Sequence, residues 1–201
     1  MKLPPRYESL ALLYEQHGFS LYLVGGTSRD LLLGKEARDL DFATDATPDE
    51  SSSFVPDLNL TFARFGSVSI KEGDFEADIT TFRKEGRYLD FRHPKRIEFI
   101  RDMKTDSLRR DFTINALYID RNGKVFDFHN GLSDLKMGLI RFIGDPKKRI
   151  QEDPLRILRA ERFARTLHFE IEKTTLKAIE EGRELLEKLN PEKVKMELKK
   201  G

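Results

Sequence analysis

The sequence predicts an α+β protein in which a mixed, mostly antiparallel sheet with helices is followed by an all-helical segment. Two patterns carry this prediction. Up to about residue 141, short apolar runs and alternating apolar and polar residues are separated by glycine turns, which is typical of short strands joined by helices. From Pro154 onward, apolar residues recur at helical spacing among charged ones. The predicted division is therefore an α+β part at residues 1–141 and a helical part at residues 142–201.

The first elements are predicted from apolar spacing and from the glycines that interrupt it. Leucines at helical spacing predict a helix over residues 8–17, which Gly18 ends. The apolar run at residues 21–24 meets Gly25-Gly26, which predicts a buried strand that enters a tight turn.

A helix and a strand are expected next. Thr27 or Ser28 can cap the start of this helix, and Gly34 is placed to end it. Leu40 and Phe42 then alternate with two aspartates, which predicts a strand with one buried face.

The later strands are predicted from alternation and from turn residues. Alternation over residues 68–82 breaks near Gly73, which predicts a hairpin. Residues 112–119 are apolar enough for a buried element. The turn at Asn122-Gly123 then separates them from a short strand at residues 125–128.

In the helical part, one side of a helix is expected to be apolar and the other charged. The expected apolar stripe is formed by Ile157, Leu158, Phe163, Ala164 and Leu167. Pro191 marks the start of a last helix, and the serine run at residues 51–53 is interpreted as a loop.

Composition narrows the possible classes of protein. The chain has no cysteine, which excludes disulfide frameworks, thiolate metal sites and cysteine nucleophiles. No stretch approaches the roughly 20 apolar residues of a membrane span, and the start lacks an apolar signal core, so a cytoplasmic protein without membrane association is expected. The formal net charge is only +1, but residues 1–82 hold 7 basic and 14 acidic residues, whereas residues 142–201 hold 15 and 12. An acidic N-terminal part followed by a basic C-terminal part suits a metal site built from carboxylates beside a surface that binds a polyanion. Such charged residues can also simply lie on solvent-exposed faces.

The Gly25-Gly26 pair lies between a predicted strand and a predicted helix. At such a position, free backbone amides and the helix dipole favour a bound phosphate. Arg29 in the first helical turn would add a cationic guanidinium group. Taken by itself, the segment is more simply interpreted as a tight turn that binds nothing.

Paired aspartates indicate a metal site. Asp39 and Asp41 alternate with Leu40 and Phe42, so both carboxylates are expected on one face of a strand. Their mutual repulsion calls for a cation, and Mg²⁺ is the cation that carboxylates and phosphates bind together. Asp78, on the second strand of the predicted hairpin, would add a third carboxylate, as in two-metal sites. Without Asp78, two solvated acids on an exposed edge would be the simpler interpretation.

Four stretches of the chain resemble the motifs of one family, in the same order and over about 140 residues. They are Gly25-Gly26-x-x-Arg29-Asp30 with Leu32-Leu33-Gly34 and Asp39-x-Asp41; Arg109-Arg110-Asp111-Phe112-Thr113-x-Asn115-Ala116-Leu117; Asp127, Gly131, Asp134-Leu135, Gly138 and Ile140-Arg141; and Glu152-Asp153-x-x-Arg156-x-x-Arg159-Ala160. The chain is thereby similar to the polymerase-β-like nucleotidyltransferases, in the version shared by class II tRNA nucleotidyltransferases, the CCA-adding enzymes, and bacterial poly(A) polymerases.

The resemblance implies a nucleotidyltransferase head at residues 1–141 and an incomplete helical neck at residues 142–201, with the body and tail helices of the family absent. It implies an enzyme that adds C and A from CTP and ATP to the 3′ end of tRNA, with two Mg²⁺ ions. The implied catalytic residues are Asp39, Asp41 and Asp78, of which Asp39 and Asp41 hold the metals. The implied nucleotide-binding residues are Gly25, Gly26, Ser28, Arg29, Arg110, Asp111, Asn115, Asp153, Arg156 and Arg159.

The fourth stretch is implied to recognise the incoming base. Asp153 and Arg156 are three residues apart and share a helical face, so they offer an acceptor and donors together. By resemblance, Asp153 accepts from the exocyclic amine that C and A share, and Arg156 donates to ring acceptors. The alternative is structural, because Asp153 before Pro154 is also a good helix cap, and Glu152 with Arg156 can form an i,i+4 ion pair.

Several activities within the family share these motifs. The candidates are adding the whole CCA end, adding only CC, adding only A, and synthesising poly(A). CC addition is disfavoured by the resemblance to a loop, given next, that CC-adding enzymes usually lack in part, and the other three remain open. The region after the predicted hairpin resembles the flexible loop with which CCA-adding enzymes switch from C to A; it comprises residues 80–83, Glu85, Tyr88, Asp90 and residues 92–94. The stretch at residues 65–68 also resembles the tRNA enzymes. The alternatives from other classes are a non-catalytic RNA-binding module on the same fold and a transferase that acts on a small molecule.

Overall fold

The computed structural model of the 201-residue chain describes residues 2–37, 39–86 and 96–200. The helices in these ranges are α1 (Pro5–Gln16), α2 (Gly25–Leu32), α3 (Pro48–Phe54), α4 (Met103–Ser107), α5 (Gly131–Met137), α6 (Pro146–Glu152), α7 (Leu155–Leu167), α8 (Lys173–Gly182) and α9 (Pro191–Leu198). The strands are β1 (Leu21–Leu23), β2 (Leu40–Thr44), β3 (Ser67–Glu72), β4 (Phe75–Thr81), β5 (Arg83–Glu85), β6 (Ile97–Phe99), β7 (Leu117–Ile119), β8 (Val125–Asp127), β9 (Leu139–Ile140) and β10 (Glu170–Ile171). Within the described ranges, no helix is long and apolar enough to cross a membrane.

The chain forms two compact units. Unit 1 comprises the described residues of Met1–Lys84, Ile97–Ser107 and Asn115–Phe128. Unit 2 comprises the described residues of Glu85–Arg96, Leu108–Ile114 and His129–Gly201. The sequence-based domain boundary at residue 141 stays a prediction.

Unit 1 is built on one mixed sheet, whose described strands lie in the order β3-β4-β2-β1-β7-β8. Only β2 and β4 pair in parallel among these neighbours, and the other pairs are antiparallel. This confirms the predicted mixed, mostly antiparallel sheet. The parallel pair lies at the centre of the candidate site described below.

Helix α1 covers one face of this sheet. Its residues Tyr7 and Tyr14 are fully buried and pack in a cluster with Leu23, Phe42 and Ile79 of three strands. The hydroxyl of Tyr7 donates to the carbonyl oxygen of a β7 residue at 2.7 Å, so the buried polar group is satisfied. This packing fixes the apolar face of β2. On the opposite face Asp41 is half-buried, and Ala43 packs in a second apolar cluster.

Unit 2 is mostly helical, and the short strands β9 and β10 pair in parallel within it. Residues 142–201 are thus helical apart from β10. Phe112 stacks on Phe142 with 5.0 Å between ring centroids and meets the edge of Phe163 at 5.4 Å. The amide of Thr113 donates to the carbonyl of Arg141 at 3.0 Å, so backbone bonds and aromatic packing hold the segment before β7 against the one after β9.

Most predicted elements are confirmed, with small shifts of their ends. The helix over residues 8–17 is α1, the hairpin is β3–β4, and Pro191 begins α9. Helix α2 ends before Gly34, whose φ is +73°. Of the proposed flexible loop, residues 88, 90 and 92–94 lie outside the described residues.

Two local predictions were wrong. The serine run at residues 51–53 lies inside α3 and not in a loop, because Thr47 and Glu50 form a reciprocal capping box at the start of this helix. Neither Thr27 nor Ser28 caps α2, which already begins at Gly25. Thr27 and Ser28 use their hydroxyls in other bonds, described below.

Candidate active site

The turn at Gly25 and Gly26 joins β1 directly to α2. Gly25 has a φ of +69°, in the left-handed region that favours glycine, and this bend lets the helix begin at once after the strand. The first amides of α2 have no acceptor within the helix, and they point out of its N-terminus. The predicted turn between a strand and a helix is therefore present, at the start of a helix of 8 residues, and phosphate binding by this turn stays a prediction.

The carboxylate of Asp41 lies against this turn. Its Oδ2 atom is 2.9 Å from the position that a Cβ atom on Gly25 would occupy, and 4.0 Å from the equivalent position on Gly26. The backbone amide of Val24 also donates to the carbonyl oxygen of Asp41 at 3.0 Å. The absence of a side chain at Gly25 is what allows the carboxylate and the helix N-terminus to lie so close, whereas a Cβ atom on Gly26 would make only an ordinary contact.

Asp41 and Asp78 are neighbours across the parallel pair β2–β4, since they are paired in its register. Phe42 and Ile79 are paired one position further on, face the core, and are each only 1% exposed. Alternation along both strands therefore places the two carboxylates on the same, polar face of the sheet. Asp39 lies on an exposed bend just before β2, and not within the strand as predicted.

The surroundings of Asp78 are electrostatically unfavourable for its charge. Partial burial raises the pKa of its carboxyl above the usual range, and the negative charges of Glu76 and Asp39 raise it further. The region around Asp78, Glu76 and Asp39 thus carries excess negative charge. Among the described residues, no group of three or more histidine, aspartate and glutamate side chains is arranged as a ready metal cage.

Thr27 connects the turn to the aspartates. Its hydroxyl donates to the carbonyl of Asp39 and accepts from the amide of Asp41, both at 2.8 Å. Thr27 is only 1% exposed, so these bonds are shielded from water. This role of Thr27 was not predicted from the sequence, because no local pattern indicates that its hydroxyl lies opposite a segment twelve residues away.

Arg29 and Ser28 of the same turn are both buried. Two nitrogens of the Arg29 guanidinium contact Oδ1 of Asp30 at 2.8 Å, and a third donates to Oδ1 of Asn115 at 2.9 Å. Its Nη2 atom lies 3.6 Å from a Cβ position on Gly26, so the cation is beside the turn. The structure therefore brings Asn115 to Arg29, while the hydroxyl of Ser28 donates to the carbonyl of Gly25 at 3.2 Å.

Unit 2 brings several of the other predicted residues together with Arg149, which was not predicted. We define this ionic cluster as Asp111, Arg149, Glu152, Asp153, Arg156 and Arg159. Oδ1 of Asp111 accepts from Nε of Arg156 at 2.6 Å, and its Oδ2 lies 2.9 Å from Nη2 of Arg159. Burial raises the pKa of Asp111, but Arg159, Arg156 and Arg149 outweigh it and hold this pKa below its usual range. Asp111 is thus a permanent anion among arginines.

Asp153 and Arg156 both have partners within the cluster. Oδ1 of Asp153 accepts from the amide of Leu155 at 3.1 Å, and its Oδ2 accepts from Arg159 at 2.6 Å. Arg156 donates to Glu152 at 2.9 Å, and its side chain is only 3% exposed. The i,i+4 pair that the sequence left open is therefore present, and Asp153 bonds the first amide of α7, although Pro154 and not Asp153 is the N-cap residue of that helix. They are compatible with a base-recognition role, since a carboxylate accepts more than two hydrogen bonds.

Two more arginines complete the description of this region. Arg110 is half-buried, and its carbonyl accepts from Nη2 of Arg149 at 3.0 Å. The sequence analysis did not single out Arg149. Its spacing of three residues from Glu152 and seven from Arg156 on adjoining helices was the available signal.

Comparison with known proteins agrees with this arrangement. A family model described as the poly A polymerase head domain matches residues 21–141. The chain is 43% identical to a CCA-adding enzyme of Lactococcus lactis subsp. lactis, over 99% of this chain and 52% of that protein.

Two solved structures are similar over almost the whole chain. The CCA-adding enzyme of Bacillus stearothermophilus in complex with CTP has a TM-score of 0.89 and 33% identity, over 98% of this chain and 48% of that one. A tRNA nucleotidyltransferase complexed with a primer tRNA and an incoming ATP analog has a TM-score of 0.79 and 32% identity, over 94% and 55%. The chain spans about half the length of the curated relatives it matches. With its glycine turn, paired aspartates and ionic cluster all in the predicted order, the chain belongs to the poly A polymerase head domain family.

Proposed function

We propose that this protein is a template-independent RNA nucleotidyltransferase that adds C and A from CTP and ATP to the 3′ end of tRNA. The observation that carries the proposal is the position of Asp41, against the glycine turn and beside Asp78. A phosphate-binding helix N-terminus next to paired carboxylates is what nucleotidyl transfer from a triphosphate requires. The similarity to a CCA-adding enzyme and to structures that contain CTP, or primer tRNA with an ATP analog, supports the choice of substrates. Such a substrate implies action in the cytoplasm.

The proposal includes two Mg²⁺ ions held by Asp39 and Asp41. The residues fit such ions, because carboxylate oxygens are the ligands that Mg²⁺ prefers and because Asp41 and Asp78 lie side by side across the β2–β4 pair. When bound, a metal pair neutralises the triphosphate and the charge that develops on the attacking and leaving oxygens.

The side chains of unit 1 have distinct roles in the proposed reaction. Asp78 accepts the proton of the RNA 3′-hydroxyl, whose oxygen attacks the α-phosphorus while pyrophosphate leaves. The amides of Gly25 and Gly26 bind the triphosphate, and Ser28 maintains the turn. Arg29, oriented by Asn115, adds a fixed cation, and much of the rate enhancement is attributed to this positioning.

The base is selected by the ionic cluster of unit 2. Asp153 accepts from the exocyclic amine of C or A, and Arg156 donates to a ring acceptor, so the protein replaces a template strand. Arg110 contacts the nucleotide from the same unit. UTP and GTP lack the exocyclic amine at this position, and they would leave Asp153 facing a carbonyl oxygen, which is strongly unfavourable.

Poly(A) synthesis is a second candidate, and the description of the matching family model favours it. It uses the same residues and differs in the product. The length and base composition of the added tail therefore decide between the two activities.

The test is to incubate the 201-residue chain with Mg²⁺ and tRNAs that end before CCA, after its first C or after CC, with CTP, ATP or both. Products are resolved to single nucleotides. We expect addition that stops at CCA, and a loss of at least about a hundredfold in Asp41→Ala. The matched control is Asp74→Ala, which removes an exposed carboxylate from the turn of the β3–β4 hairpin.

Other products would change the assignment. Addition of A alone or of long A tails would establish the A-adding or poly(A) activity instead. Binding of CTP and ATP without extension would limit the activity of this chain to nucleotide binding. Binding of RNA without binding of any nucleotide would favour a non-catalytic RNA-binding module.

A further inference from the structure

Arg149 of α6 makes an unusual set of contacts for a residue that the reaction does not require. Its Nη2 atom donates to the carbonyl oxygens of Arg109 and Arg110, at 2.7 and 3.0 Å. Its Nη1 atom donates to Oε2 of Glu152 at 2.8 Å. The side chain is only 10% exposed, so these bonds form largely away from water.

The backbone of Arg149 adds a second connection to the ionic cluster. Its carbonyl oxygen accepts from Nη1 of Arg156 at 2.6 Å, and Glu152 accepts from that same nitrogen at 2.9 Å. Arg156 is therefore held by the Arg149 carbonyl and, through Glu152, by the Arg149 guanidinium. One residue fixes two sides of the arginine proposed to contact the base.

The guanidinium also fixes the segment that carries Asp111. Backbone bonds hold this segment on its C-terminal side, where the amide of Ile143 donates to the carbonyl of Asp111 at 3.0 Å. On its N-terminal side, the carbonyls of Arg109 and Arg110 are bonded to Arg149. Because Asp111 in turn bonds Nε of Arg156 at 2.6 Å, a shift of this segment would turn the Arg156 guanidinium.

The chemistry requires an arginine at this position. A planar guanidinium presents several N–H donors in fixed directions, and here they bond two carbonyls and a carboxylate at once. A lysine ammonium carries the same charge but cannot reach these acceptors in the same geometry. Replacing Arg149 by lysine therefore keeps the positive charge but removes the fixed directions of the hydrogen bonds, so the two effects can be measured apart.

We propose that Arg149 is a positioning residue for base selection, which orients Arg156 through Glu152 and through the Arg109–Asp111 segment. This inference rests on the proposed function, because it concerns how the enzyme discriminates CTP and ATP from UTP. In this proposal Arg149 acts through the residues that it bonds and not by contacting the nucleotide. Its loss should therefore reduce selectivity while it leaves the binding of the triphosphate in unit 1 intact.

The test compares Arg149→Met and Arg149→Lys with the control Lys148→Met, which removes an exposed cation from the adjacent position of α6. Dissociation constants for CTP, ATP and UTP are measured with Mg²⁺ on the full 201-residue chain. We expect the preference for CTP over UTP to fall about tenfold in both Arg149 variants, as for one displaced charged hydrogen bond, and to stay unchanged in the control. An equal weakening of all three nucleotides, or an unchanged preference, would overturn the inference.

A second measurement does not depend on nucleotides. Hydrogen exchange at the amide of Ile143, which bonds Asp111, should accelerate about tenfold in Arg149→Lys, a variant that retains the charge. Unchanged exchange there would overturn the positioning role. Failure of the wild-type chain to discriminate among nucleotides would instead contradict the proposed function, and the exchange rates would still decide whether Arg149 positions the segment.

Discussion

Gly25 illustrates how one residue can be required for two independent reasons. Its φ of +69° is unfavourable for any other residue, and a Cβ atom there would press on Oδ2 of Asp41 at 2.9 Å. Gly34 shares only the first reason, because its φ is +73° but nothing lies within 4 Å of a Cβ atom at that position. Comparing a substitution at Gly25 with the same substitution at Gly34 therefore distinguishes the effect of backbone strain from the effect of displacing the Asp41 carboxylate.

We expect Gly25→Ala to abolish Mg²⁺-dependent binding of CTP and Gly34→Ala to preserve it. Both variants should lose about 1–2 kcal/mol of folding stability, because each forces alanine into the left-handed region. Titration with CTP in the presence and absence of Mg²⁺, together with urea unfolding, measures both quantities. An equal loss of CTP binding in the two variants would attribute the effect to backbone strain and not to Asp41.

Thr27 joins the turn to both metal-binding candidates through one hydroxyl group. Thr27→Val keeps the shape but leaves the carbonyl of Asp39 and the amide of Asp41 without this partner. We expect it to lower the free energy of unfolding by about 1–3 kcal/mol. Thr27→Ser keeps the hydroxyl and should recover most of this loss in urea unfolding. If the serine variant lost as much as the valine variant, packing of the methyl group would be the cause.

Glu50 gives a prediction for the dependence of stability on pH. A hydrogen bond from Arg101 lowers the pKa of Glu50 to about 2, whereas an unfolded glutamate titrates near about 4.3. Because the pKa is lower in the folded state, the pair stabilises the protein above about pH 4.3, and this stabilisation is lost as the pH falls towards 2. The side chains of Glu50 and Arg101 are 35% and 53% exposed, so the contribution is screened to about 0.5 kcal/mol.

Glu50→Gln removes the charge but keeps a side-chain oxygen for the capping box of α3. We expect its melting temperature to be about 1–2 °C below wild type at pH 7, and this difference to shrink as the pH falls below about 4.3 and to nearly vanish towards pH 2. Thermal unfolding followed by circular dichroism at several pH values measures this difference. A difference that stays constant with pH would show that the charge of Glu50 contributes nothing.

Helices α6 and α8 contact each other at Gly182, where a Cβ atom would lie 2.7 Å from Cγ2 of Ile150. Ile150 is only 1% exposed and cannot move into solvent. Alanine gains about 1 kcal/mol in helix propensity over glycine, but overpacking a core costs about 1–3 kcal/mol. We therefore expect a net loss of stability in Gly182→Ala. In an Ile150→Leu background, which removes the β-branch, the same substitution should cost less, and an equal cost in both backgrounds would exclude this contact as the cause.

Elements with a local signal could be predicted from the sequence, and elements whose signals compete could not. The glycines after α1 and α2 gave their ends correctly, because a left-handed residue stops a helix. Helix α3 was missed because its serines compete with the backbone for hydrogen bonds, which lowers helix propensity. The capping box of Thr47 and Glu50 overrides that tendency, and its spacing of three residues was visible in the sequence.

For the candidate site too, features with a local signal could be predicted from the sequence, whereas contacts between distant segments could not. The common face of Asp39 and Asp41 follows from strand periodicity, although Asp39 proved to lie just outside the strand. The pairing of Asp41 with Asp78 joins strands that are far apart in sequence, so alternation alone did not establish it. The bonds of Thr27 and Arg149 depend on where a third segment passes, which no local pattern records.

At the scale of the whole molecule, charge determines how the chain should bind a polyanion. Its 36 basic and 35 acidic residues nearly cancel, and the first 82 residues carry more acidic than basic groups. Long-range attraction of RNA is therefore expected to be weak. Affinity should come from a few contacts near the 3′ end of the RNA, where the proposed reaction takes place.

We accordingly expect a shallow dependence of tRNA affinity on salt. Each phosphate contact to a single strand adds about −0.7 to the slope of log affinity against log salt, so about three contacts give a fall of roughly twentyfold between about 50 and 200 mM salt. Fluorescence titration of tRNA that lacks CCA, at four salt concentrations, measures the slope. A slope steeper than about −4 would mean that this chain also binds the phosphate backbone of the acceptor arm. The basic residues to mutate would then be those of residues 142–201, where 15 basic residues outnumber 12 acidic ones.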